Sequence, residues 1–120
     1  MIISTNNIVG NVILNKYRSF ATMKSPLPKA TYERNAHIYK ILANSKRLEI
    51  LNLLKIREHS VEEIIKLLKL PKANVSQHLA LLRHGRLVFV RRKGLNVFYK
   101  ISDPRIVAPC KILHELWKMK

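Results

Sequence analysis

Acid is scarce in this chain. Seven Asp and Glu stand against 23 Lys and Arg in 120 residues, a formal charge of +16, and the first acid is Glu33. An excess that large goes well beyond what solubility requires and implies a polyanionic partner, nucleic acid first and an anionic membrane surface second. Long apolar runs are also missing: none approaches the roughly 18 residues of a bilayer-crossing segment. The single cysteine, Cys110, excludes an intramolecular disulfide and any multi-cysteine zinc finger within one chain. It fits a reducing, cytoplasmic setting. No paired carboxylates, activated nucleophile or phosphate-binding loop stands out, so the pattern does not read as an enzyme.

What is present suffices for one hydrophobic core, since 48% of the residues are apolar, and one domain is the expectation. Residues 1–29 read as a flexible basic leader, because Asn6-Asn7, Gly10, Asn15 and Pro26-Leu27-Pro28 interrupt any helical period. An organelle-targeting peptide and an extension ahead of an alternative start at Met23 are the two readings of it. The domain proper is expected over 30–120. A first helix over about 31–43 carries Ile38, Ile41 and Leu42 at helical spacing. Ser45 is expected to cap a second helix, made central by a stripe of Leu48, Leu51 and Leu54 that Ile50, Leu53 and Ile56 widen. Ser60-Val61-Glu62-Glu63 is a capping box opening a short third helix. Lys69-Leu70 then forms a turn, and Pro71 starts a fourth helix at its first position, running to about His84.

On that fourth helix Val75, Leu79 and Leu82 share the core face, while Ala73, Gln77, Ala80 and His84 lie opposite, flanked by Asn74, Ser76 and Leu81. Small residues let a backbone approach a groove, and Asn, Ser and Gln bond base edges; Lys72 at the helix start suits a phosphate. The competing reading of this strip is an ordinary solvated face. Leu87-Val88-Phe89-Val90 and residues 96–101 then read as two strands, with Arg91-Arg92-Lys93-Gly94 as the hairpin tip. Three cations there grip phosphates better than they help folding.

The segments Leu42-Ala43-Asn44-Ser45-Lys46-Arg47-Leu48-Glu49-Ile50-Leu51, Val75-Ser76-Gln77-His78-Leu79-Ala80-Leu81-Leu82-Arg83, Leu87-Val88 and Phe98-Tyr99-Lys100-Ile101 together resemble the ArsR/SmtB family of dimeric winged-helix repressors. The resemblance covers roughly residues 36–118. It implies a mainly α fold with a small β-hairpin, a winged helix-turn-helix in the order α-α-α-α-β-β-α. It implies a homodimer on double-stranded DNA that reads an inverted-repeat operator. Lys72, Asn74, Ser76, Gln77, Arg83, Arg91, Arg92 and Lys93 would face the DNA, with His78 as a helper nearer the core edge. The family's thiolate metal site is absent, since His59-Ser60-Val61-Glu62 stands where a Cys-x-Cys pair would. Asp103-Pro104-Arg105 likewise lacks the histidine of the C-terminal zinc site.

A metal- or thiol-based effector has one candidate foothold. Cys110 and His114, four apart on a C-terminal helix expected from about Pro104 to Lys118, would meet their twins across a two-fold axis. The competing reading makes Cys110 a small buried hydrophobe in an apolar stripe of Ile106, Cys110, Leu113 and Trp117. Ile112, Leu116 and Met119 lie off that stripe, so the helix is apolar on more than one side, as a dimer-forming helix would be. The expected dimer interface is Ile38, Ile41, Ile106, Cys110, Leu113 and Trp117. Two rivals stand beside the repressor reading: an architectural or RNA-associated basic protein without sequence choice, and a protein-docking winged helix.

Overall fold

A computed structural model describes residues 25–118. The leader therefore lies almost wholly outside the described residues, as does Met119. Helix α1 spans Lys29–Leu42 and α2 Ser45–Ile56; a two-residue strand, β1 (His59–Ser60), leads directly into α3 (Val61–Leu68). Helix α4 (Lys72–His84) and the hairpin of β2 (Val88–Lys93) and β3 (Asn96–Ile101) follow. A 3₁₀ turn, Pro104–Val107, then precedes α5 (Ala108–Lys118). The winged helix-turn-helix is thus present, with one strand more than the sequence suggested: β1 pairs antiparallel with β3, giving the order β1-β3-β2.

The core of the unit from residue 35 onward joins Ile50, Leu51 and Leu54 of α2, Ile64 of α3, and Val75, Leu79 and Leu82 of α4. Leu87, Val88, Ile101 and Val107 close it. Helix α2 is central, as its apolar breadth requires, but Ile56 at its end is 77% exposed and takes no part. Its cap is Asn44 rather than Ser45: the Asn44 side chain accepts from the amides of Lys46 and Arg47 at 3.0 and 3.1 Å. Asn44 has the extended backbone of a capping residue and Ser45 is already helical.

The expected capping box of α3 is complete. Glu63 N–H donates to Ser60 Oγ and Ser60 N–H donates back to Glu63 Oε1, both at 3.1 Å. Arg57 Nη2 also donates to Glu63 Oε2 at 2.8 Å. These donors, Arg57 first, hold the Glu63 carboxyl down to about 2.

The C-terminal helix starts four residues later than expected. Pro109 has no N–H to give the Arg105 carbonyl and its ring crowds that position, so Ala108 N–H closes a 3₁₀ turn on Arg105 O instead. Asp103 caps that turn at the Arg105 amide, 2.9 Å away. The apolar stripe is therefore split. Ile106 and Cys110 pack against the core, whereas Leu113 and Trp117 stay exposed together with Ile112 and Leu116.

Candidate nucleic-acid interface

Helices α3 and α4 form the bihelical unit, joined through Lys69-Leu70-Pro71. Lys69 takes a left-handed conformation (φ 53, ψ 46) that ends α3 sharply. Pro71 is extended (ψ 144) and sits just outside α4 as its N-cap, not as its first helical residue. Its carbonyl accepts from Asn74 and Val75 N–H at 3.0 and 3.1 Å. Because proline has no polar side chain to cap with, no side chain covers the first amides of α4. That leaves the positive end of the helix dipole open beside Lys72.

The two faces of α4 divide as the periodicity requires. Val75, Leu79 and Leu82 are buried, and Lys72, Ala73, Asn74, Ser76, Gln77, Ala80, Arg83 and His84 are exposed. His78 differs from the other site residues in being half-buried, with Nδ1 3.4 Å from Nη1 of Arg47. Burial, and then the Arg47 charge, lower its pKa from 6.5, which favours neutral imidazole. Arg47 Nε donates to the Ile41 carbonyl at 2.5 Å, so one guanidinium ties the end of α1 to the middle of α4. The far end of α4 meets α1 as well. A Cβ on Gly85 would lie 2.7 Å from Ile41 Cδ1, so any larger residue there would have to push the end of the Ile41 side chain aside.

The wing places its cations differently from expectation. Lys93 pairs with Asn96, so the connection is the two-residue turn Gly94-Leu95, with Gly94 at φ +62. Arg91, Arg92 and Lys93 are strand residues of β2, not the tip, and the tip side chain is Leu95, fully exposed. The alternation puts Arg91 and Lys93 on the outer face of the sheet beside Phe89, and Arg92 on the face that carries Val88 and Val90. Arg91 is engaged: Nε donates to Glu58 Oε2 at 3.0 Å and Nη2 donates to Oε1. Its guanidinium carbon lies 5.2 Å from the Phe98 ring centroid. Hydrogen bonding from Arg91 lowers the Glu58 pKa, and Glu58 in turn raises that of Arg91.

Sequence reasoning missed Glu58, Arg47 and β1. The first two act through partners 33 and 31 residues away, and β1 is too short to show a period. Buried His59 fixes the β1 approach. Its Nδ1 lies 2.8 Å from the Arg57 carbonyl, which only accepts, so Nδ1 carries the proton. Cys110 Sγ accepts from Asn52 Nδ2 at 3.5 Å, and His114 is exposed. Among the described residues no three or more His, Cys, Asp or Glu gather as a metal site. No helix of the described residues is long and apolar enough to cross a membrane.

Comparison with known proteins agrees with this geometry. The family model described as bacterial regulatory protein, arsR family, matches residues 44–89. The transcriptional repressor PagR of Bacillus anthracis is 38% identical over 85 residues, 70% of this chain and 85% of that protein. The transcriptional activator HlyU of Vibrio cholerae is 40% identical over 80 residues, 67% of this chain and 74% of that one. Its solved structure has a TM-score of 0.66 at 36% identity, covering 75% of this chain and 98% of HlyU. A homodimeric winged helix-turn-helix DNA-binding domain from Mycobacterium bovis has a TM-score of 0.67 at 31% identity, covering 78% of this chain and 90% of that domain. With relatives at this identity spanning most of their own length, and the same elements in the same order, the chain belongs to the arsR family of bacterial regulatory proteins.

Proposed function

We propose that the protein is a cytoplasmic transcriptional regulator, without enzymatic activity, that binds a specific operator as a homodimer and represses by occupying it. The observation that carries the reading is the outer strip of α4. It is exposed along its length, polar at Asn74, Ser76 and Gln77, small at Ala73 and Ala80, and free of acid. Such a strip fits a major groove and offers Gln77 or Asn74 to an adenine edge. Lys72 at the uncapped start of α4, Arg83 at its end, and Arg92 and Lys93 on β2 would hold phosphates on either side. His78, turned toward Arg47, acts by holding the helix in place.

The homodimer is supported by the apolar surface left on α1 and α5, where Tyr39, Ile112, Leu113, Leu116 and Trp117 are all exposed. Between those elements runs a groove of about 230 Å³ lined by Ile38, Tyr39, Leu42, Ile106 and Pro109, with Asn35 and Arg105 at its polar points. Closing that surface against a second copy would set two recognition helices about one helical turn of DNA apart. The Mycobacterium bovis relative is itself homodimeric.

Selection of bound duplexes from a random pool, followed by titration of the winner against a scrambled duplex, tests the reading. An inverted repeat bound about 10³-fold or more tighter than its scramble is the expected result. A ratio near one overturns sequence choice and favours an architectural role. Sedimentation showing only monomer at micromolar concentration removes the dimer.

A further inference from the structure

One wing cation already has an anion. The Arg91 guanidinium engages the Glu58 carboxylate through two of its nitrogens and is stacked near Phe98. The fork that grips a carboxylate with two parallel N–H groups is the fork that grips a phosphate, so the two anions compete for one place. Arg92 and Lys93 are exposed, and among the described residues neither forms an ion pair within 4.0 Å, although the Glu58 charge also reaches Lys93 more weakly than it does Arg91.

Backbone pairing sets Glu58 at this position. It immediately precedes β1, whose His59 and Ser60 pair with Tyr99 and Phe98 of β3. Arg91 in turn pairs with Phe98 from the other side of β3. The ladder therefore carries the carboxylate to the side of the wing, and the buried His59 ring bonded to the Arg57 carbonyl anchors the approach.

We infer that Glu58 is an internal stand-in for a DNA phosphate, masking Arg91 so that, of the three consecutive cations of β2, only Arg92 and Lys93 meet the duplex backbone. The inference rests on the DNA-binding reading. Its consequence is a lower affinity for DNA of any sequence. Phosphate contacts carry no sequence information, so removing one from each protomer leaves the base-reading face of α4 a larger share of the total. Arg91 becomes a positioning residue that holds the wing against β1.

The test is the salt dependence of binding to a random-sequence duplex, followed by fluorescence anisotropy for the full chain across a potassium chloride series. Each phosphate neutralised adds about 0.9 to the steepness of log K against log salt. Arg92→Gln and Lys93→Gln should each flatten the slope by about 0.9 per protomer, whereas Arg91→Gln should leave it unchanged. Glu58→Gln should steepen it by about the same 0.9 per protomer, and the Glu58→Gln/Arg91→Gln pair should restore the wild-type value. Glu62→Gln, which removes an exposed acid from the first turn of α3, controls for net charge and should have no effect.

The inference is overturned if Arg91→Gln flattens the slope as much as Lys93→Gln does, or if folded Glu58→Gln leaves it where it was. Should Glu58→Gln fail to fold, the Arg91→Gln comparison decides alone. A wild-type protein that binds no duplex at any salt defeats the DNA-binding reading itself, an outcome distinct from any change in slope.

Discussion

Replacing Ser76 and Gln77 together by alanine separates reading from gripping. Both side chains are exposed, and the residues that seat α4, Val75 and Leu79, lie beside them fully buried and untouched. Alanine is the better helix former, so stability should stay within about 0.5 kcal/mol of wild type. Binding should respond quite differently. A good bidentate contact to a base edge is worth about 1–3 kcal/mol, and a symmetric dimer loses it twice. The operator should therefore bind about 2–6 kcal/mol more weakly, a loss of roughly 30-fold at the least, bounded below by non-specific affinity. Neither side chain is charged, so affinity for a scrambled duplex and its salt slope should not move. Anisotropy titrations on operator and scramble, with a thermal melt of each protein, read all three quantities. A double variant that keeps the wild-type ratio between the two duplexes would refute the assignment of α4 as the base-reading element.

Further expectations concern the scaffold. Leu79→Ala empties a site that is 1% exposed, and should cost about 2–5 kcal/mol in urea unfolding; a cost under 1 kcal/mol would mean that α4 is not seated as described. Asn44→Ala should cost about 1 kcal/mol while Ser45→Ala costs little, and the reverse order would restore Ser45 as the cap. Glu63 has a folded pKa of about 2 against an ordinary 4.5, so its contribution is complete above about 4.5 and is lost as pH falls toward 2. Melts from pH 6 to 2 should show a shallower decline for Glu63→Gln than for wild type. His78 acts in the neighbouring window. Its folded pKa lies below 6.5, so the unfolded chain takes up the proton first and stability falls as pH drops below about 6.5. His78→Gln should lack that component, and an unchanged profile would remove the half-buried neutral imidazole.

The two faces of α4 and the box at Ser60 were legible because each is a local rule: a period of 3.6 over 13 residues, and a reciprocal bond three residues apart. Where two good candidates stood side by side, locality failed. Asn44 and Ser45 both make caps, and the structure chooses Asn44. Pro71 fits either side of a helix start, and its extended ψ puts it outside. The wing was legible as a hairpin but not in register. Leu95 fell between the expected tip and the second strand, and only the pairing of Lys93 with Asn96 reveals it as half of the turn. That shift moved three cations from a tip to a strand. Glu58 was invisible because its partner arrives through a sheet edge two residues long.

In each joint around α4 one position would suit glycine and holds a cation instead. Lys69 before the helix and Arg86 after it hold positive φ, 53 and 59, at a cost of about 1 kcal/mol each for a residue with a Cβ. Both are long, cationic and exposed. At both positions a cation stands where glycine would ease the backbone. A chain with glycine at both sites should be the hardier protein and the weaker ligand for a polyanion, so that screening for thermal robustness alone would select against the protein's own activity.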